Sequence, residues 1–280
     1  MPMPSFTDTV FIITGAASGI GQELAWQAAR KGAHVIATDR NGAGLLETVR
    51  LGAAAGMPIH SELLDIADPD AITRFAARVI PVMNNRKLVL INNAGTALSS
   101  GTFHDTGLAD FEQLININLL GTIRMTKAFY PYFVSSNRGH IVNLSSVFGL
   151  VGVSLNVPYC TSKFGVRGFT ESLRMELKET GIRTTCVHPG GVKTNIVRNA
   201  VLNRGVVTVS MHQKSIQQFD KQAFTTAASA AAQILKAVER NKSRLVIGMD
   251  GKALDLLSRI LPVSYTRIIR KIAMKTFGAD

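Results

Sequence analysis

The 280-residue sequence is poor in cysteine, in metal-ligand patterns and in long apolar runs. Its two cysteines, Cys160 and Cys186, cannot make a disulfide framework, which favours a reducing cytoplasm. The six histidines show no metal-ligand spacing, so we expect no metal site. No apolar run approaches the ~18 residues that a membrane-spanning helix needs. The short polar segment before Val10 does not resemble a signal peptide.

Acidic residues are also scarce, since 19 Asp and Glu stand against 31 Lys and Arg, for a formal charge of +12. A basic chain favours anionic partners, such as a phosphorylated cofactor, an acidic substrate, a membrane surface or nucleic acid. Charge alone is explained as well by a solvated basic face. The positive charge is spread along the chain without interleaved aromatic residues, so we expect no nucleic-acid partner.

Short β-branched runs alternate along the chain with longer helical patterns. Strands are predicted at residues 10–14, 34–38, 88–91, 140–144, 183–187 and 244–247, and helices at 19–31, 43–55, 68–84, 108–135, 156–180 and 224–240. Near-continuous apolar strands separated by helices indicate a parallel sheet that is covered on both faces. Right-handed crossovers then make an α/β fold with a doubly wound parallel sheet, of the Rossmann type, the simplest topology.

The same pattern predicts a single domain with a C-terminal helical extension. We expect residues 1–250 to form a dinucleotide-binding catalytic domain, with a substrate lid in the weakly patterned segment near 195–224. Residues 251–280 form a basic amphipathic extension. Its apolar residues at helical spacing are Tyr265, Ile268, Ile269 and Ile272, and its basic residues include Arg267, Arg270, Lys271 and Lys275. Such a helix lies on an anionic membrane, or packs on its own domain or a second subunit, and the sequence leaves the choice open.

A glycine-rich turn, TGAASGIG at 14–21, follows the first predicted strand and opens a helix. Glycines let the backbone approach a pyrophosphate, and the N-terminus of the helix supplies free N–H groups. Asp39 ends the second strand, where a carboxylate accepts hydrogen bonds from ribose hydroxyls and repels a 2′-phosphate, which favours NAD. Arg40 could pair with a 2′-phosphate, so NADP stays the alternative, and Asp39 could simply cap a turn.

Tyr159 and Lys163 stand four residues apart in the motif YCTSK, so on a helix they share one face. A phenol has a pKa of ~10, and a nearby ammonium lowers that pKa because it favours the phenolate. Ser145 and Ser146 follow a predicted strand, at the edge of the sheet where ligands bind. A hydroxyl there either donates to a substrate oxygen or ends the strand in an ordinary turn, which we favour for Ser145.

Together these residues resemble the short-chain dehydrogenase/reductase family in its single-domain form, over about residues 9–248. The motifs, in the family's order, are TGAASGIG at 14–21, NNAG at 92–95, NINLLG at 116–121, GHIVNLSS at 139–146, YCTSK at 159–163 and HPGGVKT at 188–194. The resemblance implies an oxidoreductase that transfers a hydride between a nicotinamide cofactor and a carbonyl or alcohol. It also implies a homodimer or homotetramer formed through the long helices near 108–135 and 156–180.

The resemblance also assigns site residues. The implied catalytic residues are Asn118, Ser146, Tyr159 and Lys163. The implied cofactor contacts are Gly15, Ser18, Gly19, Ile20, Asp39, Arg40, Asp65, Ile66, Asn92, Ala94, Gly95, Tyr159, Lys163, Pro189, Gly190, Val192 and Thr194. Within this set Tyr159 donates and accepts the proton, and Asn118 holds a water beside the lysine. Ser18 replaces the basic residue common in NADP-preferring relatives, which again favours NAD.

The substrate is less clearly indicated. Residues 147–153 are strongly apolar, so they either pack in the core or line a pocket for a lipid-like, steroid-like or aromatic substrate. Two other functions stay open, a dinucleotide-binding regulatory protein and a membrane-peripheral protein in which catalysis is secondary. We expect a cytoplasmic location, with membrane association if the basic extension binds lipid.

Overall fold

The computed structural model describes residues 6–99, 101–203 and 207–270. Within these residues the strands are β1 (Thr9–Thr14), β2 (His34–Asp39), β3 (Ile59–Leu63), β4 (Lys87–Asn92), β5 (Leu98–Ser99), β6 (Gly139–Leu144), β7 (Ile182–Pro189), β8 (Val192–Lys193), β9 (Val201–Leu202), β10 (Thr225–Thr226) and β11 (Arg244–Ile247). Seven of them form one parallel sheet in the order β11-β7-β6-β4-β1-β2-β3. The other four form the short parallel pairs β5–β9 and β8–β10.

Helices connect the strands. In chain order they are α1 (Gly19–Arg30), α2 (Gly42–Ala54), α3 (Pro69–Val82), α4 (Leu108–Ile115), α5 (Gly121–Ser136), α6 (Val157–Glu176), α7 (Val209–Gln222), α8 (Ala227–Glu239) and α9 (Met249–Ile260). A π-helical segment, Asn116–Leu120, joins α4 to α5, and a 3-10 turn, Val147–Gly149, follows β6. A further helical segment covers residues 265–270.

The central sheet is covered by helices on both faces. On one face α1 and α8 contribute buried side chains such as Leu24 and Ile234. On the other face α3 and α5 meet through the edge-to-face pair of Phe75 and Phe129. Strand β1 is buried along its whole length, which explains why its sequence TVFIIT shows no alternation of polar and apolar residues. The predicted α/β fold with a doubly wound parallel sheet is confirmed.

The order of the strands reverses beside β1, because β2 and β3 lie on one side of it while β4, β6, β7 and β11 lie on the other. Ligands of doubly wound sheets bind at such a point, outside the carboxyl ends of the strands. The glycine turn leaves β1 there, and the NNAG, serine and HPGGVKT segments follow the ends of β4, β6 and β7. The fold therefore gathers the predicted motifs at one edge of the sheet.

Several elements differ from the prediction made from the sequence, among them the four short strands β5, β8, β9 and β10. Strand β3 is absent from that prediction because its sequence, IHSEL, is mostly polar, as suits the edge of the sheet. The helix predicted over 108–135 is interrupted by the π-helical segment. Helix α7 fills much of the segment predicted as a lid, and none of its residues is buried. Residues 204–206 of that segment lie outside the described residues.

The C-terminal extension contacts its own domain. Helix α9 follows β11 almost directly, and the Tyr265 hydroxyl accepts a hydrogen bond from the Gly152 N–H at 3.0 Å. This is one of the arrangements that the sequence leaves open. The predicted tail residues Lys271, Ile272 and Lys275 lie outside the described residues.

Candidate active site

The turn between β1 and α1 has the backbone shape that its glycines predict. Gly15 and Gly19 have φ angles of +69° and +58°, in the left-handed region that favours glycine. Gly21 lies so close to the loop that a Cβ added to it by substitution would be only 2.1 Å from the Gly15 carbonyl oxygen. The first turn of α1 is therefore packed directly against the loop. Ser18 is exposed and Ile20 is half-buried. Backbone close to a helix N-terminus is thus left accessible to an anion such as a phosphate.

Thr14 and Asn93 hold this turn against the end of β4. The Thr14 hydroxyl oxygen accepts hydrogen bonds from the backbone N–H groups of Asn93 and Ala94 at 3.1 and 3.0 Å. The side-chain amide of Asn93 donates to the carbonyl oxygens of Thr14 and Gly15 at 2.9 and 3.0 Å. The sequence marks NNAG as a unit without singling out Asn93, because its role depends on β1 and β4 being neighbours.

Asn92 has a different environment from its neighbour. Its side-chain amide donates to the Thr126 hydroxyl at 3.0 Å and to the Asn143 side-chain oxygen at 2.8 Å. Asn92 is buried, so its side chain joins β4 to α5 and β6 inside the protein. The structure therefore places Asn92 in the sheet, whereas Asn93 is the asparagine that reaches the glycine turn.

Asp39 lies at the end of β2, beside the glycine turn. One carboxylate oxygen accepts the Ala17 N–H at 3.0 Å and the other accepts the Asn41 N–H at 2.9 Å. Asp39 is half-buried and Arg40 is exposed. The carboxylate thus carries its negative charge next to the turn, at the position where a doubly wound fold binds the ribose of a dinucleotide.

Asp65 and Ile66 follow β3 on the same edge. The Leu64 N–H donates to the Asp39 carbonyl oxygen at 3.0 Å, which keeps this loop beside β2. Asp65 is exposed, whereas Ile66 is buried. A Cβ on Gly121 would lie 2.8 Å from Ile66 Cδ1, so Ile66 packs tightly against α5. Of this predicted pair, only Asp65 presents its side chain to solvent.

The other side of the site is formed by the segment that leaves β7. Its predicted contacts are Pro189, Gly190, Val192 and Thr194. A Cβ on Gly19 would lie 3.1 Å from Thr194 Cγ2, so the segment touches the glycine turn. Val192 is buried and begins β8. Two motifs that are far apart in the chain are therefore in contact at this edge of the sheet.

Asp250, the second residue of α9, holds this segment in place. Its carboxylate accepts the Gly191 N–H at 2.7 Å. Gly190 provides the room, since a Cβ there would lie 2.4 Å from the same carboxylate oxygen. Sequence reasoning misses Asp250 because its partner lies 59 residues earlier and no motif marks the pair.

Tyr159 and Lys163 lie on one face of α6. Lys163 Nζ is 5.7 Å from the centre of the Tyr159 ring and donates to the Leu144 carbonyl oxygen at 3.0 Å. Ser146 starts the 3-10 turn after β6, where its hydroxyl oxygen accepts the Phe148 N–H at 3.1 Å. The rings of Phe148 and Tyr159 pack edge to face, with their centres 6.1 Å apart. A phenol, an ammonium and a hydroxyl therefore converge at the end of β6.

Burial sets the protonation of this group. It raises the pKa of Tyr159 to about 12, against the lowering effect of a hydrogen bond with the Ser146 side chain. It lowers the pKa of Lys163 to about 8. The sequence predicts that the ammonium lowers the pKa of the phenol, whereas in the structure desolvation has the largest effect on this pKa and raises it. The phenol therefore carries its proton at neutral pH, as a proton donor must.

Asn118 lies in the π-helical segment and is buried. Its side-chain oxygen accepts the Thr96 N–H at 2.8 Å, and its amide donates to the Thr96 carbonyl oxygen and the Ser162 hydroxyl at 2.9 and 3.2 Å. A Cβ on Gly95 would lie 3.1 Å from the Asn118 oxygen and 3.4 Å from Lys163 Nζ, so both side chains flank that glycine. Asn118 thus fastens the loop after β4 to α6. Segments of π-helix are frequent at functional sites.

Ser145 and His188 support the group from behind. The Ser145 hydroxyl donates to the Lys163 carbonyl oxygen at 2.8 Å, which ties the end of β6 to α6. The His188 Nδ1 donates to the Ser146 carbonyl oxygen at 3.1 Å. Burial lowers the pKa of His188 to about 4, so it stays neutral. These contacts give Ser145 and His188 structural roles beside Ser146.

Comparison with known proteins decides the family. A family model described as short chain dehydrogenase matches residues 9–205. The chain belongs to the short-chain dehydrogenase family. A Mycobacterium tuberculosis protein named as an oxidoreductase, SadH, is 38% identical, and the match covers 98% of this chain and 99% of SadH. The predicted family and NAD(P)-dependent oxidoreductase class are confirmed.

Solved structures of short-chain dehydrogenases share the fold. One from Burkholderia phymatum, in complex with NAD, has a TM-score of 0.82 at 23% identity and covers 91% of this chain and 94% of its own. A metagenomic short-chain oxidoreductase in complex with NADP has a TM-score of 0.70 at 27% identity, over 87% of this chain and 98% of its own. Relatives with this architecture therefore include one bound to each nicotinamide cofactor.

None of the helices in residues 6–99, 101–203 and 207–270 is both long and apolar enough to cross a membrane. Over the same ranges, His, Cys, Asp and Glu side chains form no group of three or more that could hold a metal ion.

Proposed function

We propose that this short-chain dehydrogenase is an NAD-preferring enzyme that interconverts a secondary alcohol and a ketone on an apolar substrate. The observation that carries the proposal is the convergence of Tyr159, Lys163 and Ser146 at the edge of the sheet that also bears the glycine turn. A proton donor, a hydrogen-bond donor and a dinucleotide cradle at one edge are the parts that hydride transfer to a carbonyl needs.

The glycine turn and the acidic side chains beside it fit a nicotinamide dinucleotide. A Cβ on Gly15 would lie 2.8 Å from Ala94 Cα, and the positive φ there requires glycine, so this turn is shaped to keep backbone next to a ligand. The Asp39 carboxylate beside it suits ribose hydroxyls and repels a 2′-phosphate, which supports NAD. We infer that Asp65, which is exposed on the neighbouring loop, contacts the adenine.

The chemistry follows from the side chains at the end of β6. When bound, the nicotinamide cofactor supplies the hydride for reduction or accepts it for oxidation. In reduction, Ser146 donates a hydrogen bond to the substrate carbonyl oxygen and orients it, and Tyr159 gives its proton to that oxygen. Lys163, with its lowered pKa, then returns a proton to the phenol. A water held beside Asn118 reconnects the lysine to solvent, and oxidation runs through the same groups in reverse.

The apolar substrate class is supported by side chains around Tyr159. Val147 and Val151 are buried in the core, so only part of the apolar run 147–153 is available to a ligand. Phe148 packs edge-on to the catalytic ring. Leu155 has a φ of +63° and is 52% exposed, so an unfavourable backbone conformation presents an apolar side chain to solvent. An apolar wall beside the proton donor suits a lipid-like, steroid-like or aromatic substrate.

An oligomer also belongs to the proposal. The long helices expose large apolar side chains, Leu120, Val134, Phe164 and Met175, on or beside α5 and α6. A second copy of the chain would bury them in a homodimer or homotetramer. The free, buried cysteines Cys160 and Cys186 support a cytoplasmic location, because neither is used in a disulfide. Residues 195–224, with α7 exposed to solvent, are the proposed substrate lid.

The Tyr159→Phe variant tests the reaction. It removes the proton donor and keeps the ring, so turnover falls by ~10²–10⁴-fold while the dissociation constant for NAD changes little. Turnover is measured on the best substrate from a panel of ketones and alcohols graded by chain length and ring number. Tyr130→Phe, which removes a hydroxyl from a half-buried tyrosine of α5, is the matched control and keeps full turnover.

Ordinary turnover by Tyr159→Phe on that substrate would refute the catalytic assignment. The panel tests the substrate class separately. A kcat/KM that rises with the apolar size of the substrate supports the apolar class. A kcat/KM that is highest for small polar alcohols would contradict that class while leaving the reaction in place.

A further inference from the structure

Helix α9 and the turn after it expose an apolar surface, here called the outer face. Its members and their exposed fractions are Met249 at 78%, Leu256 at 60%, Ile260 at 66% and Val263 at 80%. The three members within α9 are separated by seven and four residues, so they lie on one side of the helix. A contiguous exposed apolar stripe marks an interaction surface.

The opposite side of α9 is fixed to the protein, so the helix cannot rotate to bury the outer face. A Cβ on Gly251 would lie 2.8 Å from a methyl group of Val147 and 3.2 Å from one of Val246. Asp255 forms an ion pair with Arg244 of β11, in which Asp255 Oδ1 lies 2.7 Å from Arg244 Nη2. The outer face therefore stays directed away from the domain.

The acidic side chains of this region are all engaged with the protein. Between residues 249 and 270 the only acids are Asp250 and Asp255. Asp250 accepts the Gly191 N–H, and Asp255 is shared between Arg244 and Arg259. Neither carboxylate is left to balance the positive charges of α9 and of the segment that follows it.

Those positive charges belong to exposed side chains. They are Lys252, Arg267 and Arg270. An apolar stripe edged by unbalanced cations is complementary to an anionic lipid surface, where the apolar residues enter the acyl boundary and the cations meet the headgroups. A second copy of the same face would instead bring like charges together.

We propose that the outer face docks on an anionic lipid surface. The face is close to the active site, because Asp250 of the same helix holds the cofactor segment at Gly191, and Tyr265 holds the loop after β6 at Gly152. Docking therefore brings the active site near the lipid, where the apolar substrate of the proposed function is concentrated. The docking surface itself is independent of the reaction that the site performs.

Vesicle co-sedimentation tests this inference. The purified full chain is mixed with vesicles of phosphatidylcholine alone or of phosphatidylcholine with phosphatidylglycerol, and the pelleted fraction is measured at low and high salt. We expect pelleting with the anionic vesicles and its loss at high salt. Leu256→Ser combined with Ile260→Ser lowers the partition coefficient of the protein between water and the anionic vesicles about tenfold or more. Leu46→Ser combined with Val82→Ser, at similarly exposed sites on α2 and α3, leaves it unchanged.

A charge variant separates the cations from the apolar stripe. Lys252→Gln combined with Arg267→Gln lowers the partition coefficient about fivefold for each charge removed. Arg30→Gln combined with Lys178→Gln, which removes the same charge from exposed sites on α1 and after α6, lowers it much less. Turnover of a water-soluble substrate, equal in all four variants, shows that each one is folded.

Two results would overturn the proposal. One is equal pelleting of the wild type and the Leu256→Ser, Ile260→Ser variant, which includes the case in which neither pellets. The other is a smaller sedimentation coefficient of that variant without vesicles, which would assign the outer face to a second copy of the chain. Loss of turnover in Tyr159→Phe bears on neither result, so the two proposals fail separately.

Discussion

The Asp39 carboxylate is held by two backbone N–H groups, from Ala17 in the glycine turn and from Asn41 in its own loop. These bonds keep its negative charge at the end of β2, where a bound ribose would lie. The neighbouring Arg40 is exposed, so a cation is also near that position. The choice between NAD and NADP at this site therefore depends on which of the two charges faces the 2′-position.

Asp39→Asn removes the negative charge and keeps one oxygen that can accept the Ala17 N–H. We expect the ratio of kcat/KM with NAD to kcat/KM with NADP to fall about tenfold, because a charge that repels the 2′-phosphate is lost. Asp65→Asn is the control, since it removes an exposed charge from the loop after β3, whose proposed adenine contact is common to both cofactors. An unchanged ratio in Asp39→Asn would show that this carboxylate does not select the cofactor.

Individual side chains differ in how far the sequence predicts them. The four-residue spacing of Tyr159 and Lys163 predicts their shared face, because helix geometry is local. The bond from Lys163 to the Leu144 carbonyl oxygen is not predictable in this way, because it requires β6 to end beside α6. The rise in the pKa of Tyr159 escapes the sequence for the same reason, since burial is a property of the assembled site.

Secondary-structure elements are predicted best where their patterns are strong. The predicted helix 156–180 corresponds to α6, and the predicted strand 10–14 lies within β1. Strand β3 is missed because an edge strand needs fewer apolar residues. The π-helical segment is missed because Asn116–Leu120 continues the helical pattern of the sequence, which does not distinguish i→i+5 from i→i+4 hydrogen bonds.

Helix α9 connects the C-terminal extension to the segment after β7 that is proposed to bind the cofactor, and one substitution tests that connection. Asp250→Ala removes the acceptor of the Gly191 N–H, so we expect the KM for the cofactor to rise about fivefold with little change in kcat. Asp250→Asn keeps an acceptor oxygen at that position and restores most of the cofactor affinity. Equal KM values in wild type and Asp250→Ala would show that the segment holds its shape without α9.

Two buried histidines affect the stability of the whole molecule. The His140 Nε2 on β6 donates to the Thr185 hydroxyl of β7 at 2.7 Å, and that hydroxyl donates to the Lys242 carbonyl oxygen. Burial lowers the pKa of His140 to about 3, as it lowers that of His188 to about 4. The unfolded chain takes up protons near pH 6.5, and the folded chain does not. The free energy of unfolding therefore decreases as the pH falls below 6.5.

The expected loss is roughly 2 kcal/mol per histidine in the free energy of unfolding between pH 7 and pH 5. Urea denaturation at the two pH values measures it. His140→Gln keeps a donor for the Thr185 hydroxyl and does not titrate, so about half of this histidine-dependent loss disappears. His60→Gln, at an exposed site on β3, leaves the loss as it is. A wild-type free energy of unfolding that is the same at pH 5 and pH 7 would contradict the assignment.

The bonds from Asp250 to Gly191 and from Tyr265 to Gly152 also affect the order in which the site is assembled during synthesis. Proteins are synthesised from the N-terminus, and the early part of the chain begins to fold while the rest is still being made. Tyr159 and Lys163 leave the ribosome well before the residues that close the site around them. A nascent chain that has not yet released residues 250–265 would therefore display the proposed catalytic residues before the segments at Gly191 and Gly152 are held in place.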